Sequence, residues 1–208
     1  MRDPRTRSND YDRQSDVGDL TEAMALTFLR SRGNHAWSLP GDHYVDIGLP
    51  RKVGRPDLGT WHPWDGSTFV EVKYEASLSY DLFDGGGPQF SVEARRVKDH
   101  VLYGAHFGVP VFLLLVVESG VPPEADLVRA KKYGKPPPPD EYPSGVFAAP
   151  VEHLAALHRG EPSQAGEWWW FNATQFAPLA TFEEFRCAAT RWPDDASHPD
   201  TAGVRAAS

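Results

Sequence analysis

Two carboxylates and a lysine stand at a spacing that suits metal-assisted hydrolysis. From Thr68 to Glu75 polar and apolar residues alternate, the pattern of a β-strand with unlike faces. Phe69, Glu71, Lys73 and Glu75 share one face; Val70, Val72 and Tyr74 share the other. Glu71 and Lys73 are then neighbours about 7 Å apart along the strand. Pro56-Asp57 lies upstream, across the turn signal Pro63-Trp64-Asp65-Gly66, so a hairpin brings Asp57 beside Glu71. Phosphodiester cleavage gathers negative charge on the phosphorus oxygens. Magnesium or manganese, held by one or two carboxylates, supplies the compensating charge. Asp57 and Glu71 are the expected ligands, with the backbone carbonyl of Val72 as a third. Lys73 is expected near the attacking water, which it would orient.

Other residues were weighed against this set. Asp46 is the rival for the metal aspartate, further upstream than Asp57. Glu75 continues the strand face and either touches metal or substrate or is simply solvated. The competing reading of the whole strand is an edge with a solvated ion-pair face. Eight histidines raise zinc, but His35, His43 and His62 have neither helix spacing nor a cysteine partner. Gly85 to Gly87 lacks the Lys-Ser/Thr of a P-loop.

Basic residues near the hairpin and on the following helix are the expected nucleic-acid contacts: Lys52, Arg55, Arg95, Arg96 and Lys98. The alternative is a mixed solvated surface. Trp168 to Trp170 reads as core and partner surface more than as a base-stacking platform.

The elements that must position these residues follow from pattern and punctuation. A helix is expected from about Asp19 to Arg32, stopping at Gly33, with Asp19 and Glu22 as a capping-box-like pair. Glu22 shares a face with Ala25, Leu26 and Leu29 that should turn toward a sheet. Short strands are expected near His35 to Ser38, Asp42 to Leu49 and Asp57 to Trp61. A second helix, Ser91 to Phe107, should bury Ala94, Val97, Val101 and Ala105. Val109 to Val117 reads as a central strand covered on both faces. Further on come a strand over Gly145 to Ala149, a helix over Val151 to His158 and a strand over Glu167 to Ala173. The fold class is therefore α/β, a central mixed β-sheet flanked by helices. Residues 1–16 read as a disordered arm, 17–191 as one domain, 119–145 as an inserted proline-rich loop, and 192–208 as a flexible tail.

Pro56-Asp57 followed by Glu71-Val72-Lys73 resembles the PD-(D/E)XK nuclease superfamily, which includes restriction endonucleases and archaeal-type Holliday-junction resolvases. The resemblance covers roughly residues 17 to 118. It implies a restriction endonuclease-like core, metal ligation by Asp57 and Glu71, assistance to water by Lys73, and a further acidic metal-shell residue on the first helix, where Glu22 matches. One departure is that Gln89 and Tyr103 are too far apart for the Gln-x-x-x-Tyr pair of the recombination-nuclease branch.

The bulk figures bound the partners. A net charge of -8 and pI near 5.4 argue against a protein that coats nucleic acid by bulk electrostatics, but not against a nuclease with a local basic surface. A single cysteine, Cys187, leaves no internal disulfide. No apolar run approaches the roughly 18 residues of a membrane span, and the charged first residues hold no leader-like apolar region, so a cytoplasmic protein is expected. The expected function is a metal-dependent DNA endonuclease, acting as a homodimer or with a partner protein that supplies specificity. The alternatives are an inactive nuclease-fold module that binds DNA or scaffolds a complex, and an RNA-directed nuclease on the same fold.

Overall fold

The computed structural model describes residues 4–82, 86–157 and 168–191. The elements are, in chain order, α1 (Pro4–Ser31), β1 (His35–Ser38), β2 (Tyr44–Val45), β3 (Val53–Gly54), β4 (Leu58–His62), β5 (Gly66–Ser77), β6 (Ser79–Asp81), β7 (Gly87–Glu93), α2 (Ala94–Phe107), β8 (Val111–Ser119), α3 (Glu124–Lys132), β9 (Gly145–Pro150), α4 (Val151–Leu157), β10 (Trp168–Asn172), β11 (Ala177–Ala180) and α5 (Phe182–Arg191).

Six strands form the main sheet in the order β1-β4-β5-β8-β9-β11. Only β5 and β8 run parallel within it, so the sheet is mixed, as expected. A parallel neighbour requires a long crossover, and the chain between β5 and β8 supplies it through β6, β7 and α2. β8 is buried on both faces from Leu113 to Val117, as the unbroken apolar run predicted. One face packs Val70, Leu114, Val116 and Val146 against Ala25 and Phe28 of α1 and Phe185 of α5. The Phe28 and Phe185 rings lie 5.4 Å apart. The other face packs Leu113, Leu115 and Val117 against Val97 of α2, Leu154 of α4 and the smaller sheet β10-β7-β6.

Several expectations are corrected. α1 begins at Pro4, not Asp19, so residues 4–16, read as a disordered arm, continue the helix. Pro4 suits a first helical turn, and no glycine or proline follows before Gly18. Asp19 is consequently mid-helix and caps nothing. α2 starts at Ala94 rather than Ser91, because Phe90 and Val92 alternate inward as part of β7. Its buried face includes Ala94 and Val97, with Val101 packed against the core, as expected; it widens to Asp99, His100, Tyr103 and Gly104, and Ala105 is exposed.

The 119–145 insertion is not all loop. It holds α3, with acidic Glu124 and Asp126 in the first turn and Arg129, Lys131 and Lys132 in the last, the charge order that the helix dipole favours. The strand expected over Asp42 to Leu49 is reduced to the two residues of β2. The flexible tail expected over 192–208, His158 of the expected helix and Glu167 of the expected strand lie outside the described residues.

Candidate active site

The β4–β5 hairpin turns at Gly66, whose φ of 78° suits glycine. Its register pairs Leu58 with Val70, which sets Asp57 opposite Glu71. Pro56 has no N–H, so β4 cannot extend further upstream as a donor. The Asp57 N–H donates to the Val70 carbonyl at 3.1 Å. The Asp57 carboxylate then takes over where the ladder stops: the Val72 N–H donates to its Oδ2 at 2.8 Å. Asp57 and Glu71 are 6% and 4% exposed, deep for two acids side by side.

One guanidinium serves both. Arg96 Nε lies 2.5 Å from Glu71 Oε1, and its Nη2 lies 3.9 Å from Asp57 Oδ1. Burial holds the Glu71 carboxyl well above the usual range; the charge of Asp57 adds to this and Arg96 opposes it. Glu22, half-buried on α1, is pushed up to about 7 by burial and by the charges of Asp57 and Asp19. Asp57 thus lies close enough to raise the proton affinity of both Glu22 and Glu71, and Glu22 raises that of Glu71 as well.

His100, one helical turn beyond Arg96, presents Nε2 at 3.4 Å from Glu71 Oε2. Burial and the neighbouring Arg96 lower its pKa to about 3, so the imidazole is neutral and the contact is no ion pair. Neither His100 Nε2 nor Glu71 Oε2 has a hydrogen-bond partner among the described residues.

Lys73 follows on the same strand face and reaches Glu75 Oε1 at 2.9 Å, each side chain 27% exposed. Glu71, Lys73, Glu75, Glu93, Arg96 and Trp168 border a cleft of about 820 Å3. Glu71 and the partly exposed Lys73 therefore line one accessible cleft.

The residues present fit a divalent ion in part. Magnesium needs only one or two carboxylates beside waters and substrate oxygens, and Asp57 and Glu71 supply them, with one Glu71 oxygen lacking a partner. Among the described residues no three His, Cys, Asp or Glu side chains are placed to hold an ion together. Arg96 occupies the position between the two acids; at 47% side-chain exposure it has room to move away.

The remaining sequence-derived residues are placed as follows. Arg55 is buried and donates from Nε and Nη2 to the carbonyls of Asp42 and Gly41, each at 3.0 Å, and from Nη1 to Leu39. Its donors bind the chain itself. Lys52 is exposed. Arg95 lies over the Tyr44 ring and 3.7 Å from Asp99, and Lys98 lies over Trp169. Asp46 is exposed and accepts the Gly48 N–H at 2.8 Å, a turn contact away from the acids. Val72 borders the cleft beside Glu71.

Sequence reasoning missed His100 and Asp99. The available signal was the four-residue spacing of Arg96 and His100, which places both on one helix face. The apolar pattern of α2 found Ala94, Val97 and Val101 but carried no signal for polar residues turned inward beside them.

No protein-family model matches the chain, and no curated protein matches it. Among solved structures it is similar to Hjc, a Holliday junction resolvase of Archaeoglobus fulgidus, at 14% identity and a TM-score of 0.46, over 77% of this chain and 95% of that one.

Proposed function

We propose that the chain is a divalent-metal-dependent nuclease that hydrolyses DNA phosphodiesters, with Asp57, Glu71 and Lys73 as its centre and Glu22 beside them. The observation that carries this reading is the apposition of two buried carboxylates, Asp57 just before β4 and Glu71 on β5, with Glu71 and Lys73 both lining one open cleft. Two buried acids without matching cations are costly to keep. Arg96 pairs with both, and a divalent ion in its place would offset the same charges.

Magnesium or manganese, when bound, neutralises the phosphate and polarises it for attack. Asp57, Glu71 and the Val72 carbonyl would hold it, and Glu22 would complete the shell. Arg96 would leave the carboxylates and pair with a phosphate oxygen, a role its fork of donors fits. Lys73, released from Glu75, donates a hydrogen bond to the attacking water and fixes its direction toward phosphorus. As the water oxygen bonds to phosphorus it gives up a proton to the surrounding solvent, the bond to the departing ester oxygen breaks, and that oxygen takes up a proton from solvent. The α2 start has no side-chain cap, so its first-turn N–H groups add positive potential at the same place.

A second reading is favoured by one contact. The Arg96 bridge already joins Glu71 and Asp57, as it would in a nuclease-fold module that binds DNA or scaffolds a complex without cutting. One assay separates the two: supercoiled, linear duplex, single-stranded and branched DNA, and RNA, each with magnesium or manganese. Wild type should cut DNA, and Lys73→Ala should lower kcat by about 100-fold or more. Absence of cleavage on every substrate, with no rise in melting temperature on adding metal, would establish the inactive module instead. Cutting confined to RNA would move the substrate and leave the site.

A further inference from the structure

Across Arg96 and Glu93 from the cleft lies a second hollow of about 280 Å3. Arg96 and Glu93 border both spaces, so the hollow lies next to the cleft, beside the guanidinium that pairs with Asp57 and Glu71. The far wall of the hollow is Tyr44. Arg95 lies over its ring at 5.3 Å from the centroid, and the side chain is otherwise 48% exposed.

This wall is held in place. Tyr44 belongs to a loop whose carbonyls at Leu39, Gly41 and Asp42 all accept from the buried Arg55 guanidinium, while the Arg55 N–H donates to His43 O at 2.8 Å. Spending a buried arginine on a loop fixes the ring at the edge of the hollow, so little ordering remains to be done when a ligand arrives.

Arginines and acids share the walls of this hollow. Asp99, 1% exposed, accepts the Gly54 N–H at 2.8 Å and lies 2.5 Å from Arg51 Nη2 and 3.7 Å from Arg95 Nε. Both arginine side chains are still about half exposed, at 46% and 53%. Asp99 therefore anchors two guanidiniums, of which Arg95 borders the hollow. Glu93 and Arg96, the latter paired with Glu71, border it as well.

We propose that this hollow is a subsite for the nucleotide next to the scissile phosphate. The Tyr44 ring stacks on its unpaired base, and Arg51 and Arg95 hold its phosphate. The volume lies at the lower bound, about 300 Å3, of pockets that enclose small organic ligands, a size for one base and not a base pair. The substrate strand must then be single-stranded or frayed at that position. The inference rests on the nuclease reading and names its substrate class.

The test is fluorescence anisotropy of the full chain in EDTA, with a labelled DNA single strand of about 12 nucleotides. Tyr44→Ala should bind about tenfold more weakly, the loss of one base–aromatic stack, and Tyr44→Phe within about twofold of wild type. On strands carrying one abasic position, the Tyr44→Ala penalty should vanish when that position occupies the subsite. Arg95→Gln should reduce the salt slope by about 0.7, one single-strand phosphate contact. Wild-type affinity in Tyr44→Ala, or a penalty that persists on every abasic strand, overturns the subsite. If wild type cuts DNA with metal while Tyr44→Ala binds normally, only the subsite falls. If wild type neither binds nor cuts, the nuclease reading falls and takes the subsite with it.

Discussion

Glu22 shows how a single side chain reports on the whole acidic group. Its ordinary pKa is 4.5 and in the folded chain it is about 7, raised first by burial and then by Asp57. The folded state therefore binds this proton more tightly than the unfolded chain does. The resulting stabilisation is complete below about 4.5 and is lost as pH rises through 7; above that, ionised Glu22 opposes folding. Glu22→Gln should accordingly melt higher than wild type at pH 8 and equally at pH 4. The half-exposed position calls for a discount, so the gain is about 1 kcal/mol, or about 3 °C. Thermal melts at the two pH values check this, and an equal shift at both would remove Glu22 from the acidic group. The same residue was legible in sequence only as an inward-facing acid on a helix, because the larger charge that perturbs it, Asp57, arrives from the start of the β4–β5 hairpin.

At the scale of elements, the 119–145 insertion is tied to the body by one buried group. Asp126 of α3 is 2% exposed, accepts the Tyr142 hydroxyl at 2.9 Å and pairs with Arg129 at 2.6 Å. Arg129 in turn donates to the Tyr80 carbonyl on β6 at 2.8 Å, and the Tyr80 and Tyr142 rings stack at 5.8 Å. Removing the carboxylate strands a buried hydroxyl and a cation. Asp126→Ala should cost about 3 kcal/mol, near 9 °C in melting temperature. Calorimetry showing less than about 1 kcal/mol would mean that α3 is held by other contacts. Helix α3 had its signal in sequence, Pro123 before Glu124 and Asp126 with three cations at the end, but the proline run after it dominated that reading. β6 and β7 were missed for a different reason. β6 is three residues long and pairs with β7, and β7 pairs with β10, a partner distant in sequence; local alternation alone does not announce such pairing.

For the whole molecule, cutting both strands of a duplex needs two sites or two visits. β10 is an edge strand of the smaller sheet. Trp169 and Phe171 turn into the core, while Trp168 and Trp170 are 55% and 50% exposed on the other face. The core part of the sequence expectation is therefore met by Trp169 and Phe171, and the proposed homodimer would use the exposed pair. Light scattering should give twice the 23.1 kDa chain mass, and Trp170→Glu should return the single-chain value. A wild-type mass of one chain would end the dimer reading. No helix among the described residues is long and apolar enough to cross a membrane.

By itself the sequence determined what depends on near neighbours: the β4–β5 hairpin, the alternation that sets Glu71 and Lys73 on one face, and β8 as a strand buried on both sides. Those follow from period, turn chemistry and apolar runs within a few residues of each other. Tertiary structure decided the rest of the site. Arg96 looks in sequence like a cation free for phosphate, yet it sits between Asp57 and Glu71. Arg55 looks the same and is used to hold a loop, while His100 and Asp99 turn inward beside an apolar stripe that gave no sign of them. Each of these depends on which elements pack together, and electrostatic partners brought across a sheet leave no periodicity in the chain.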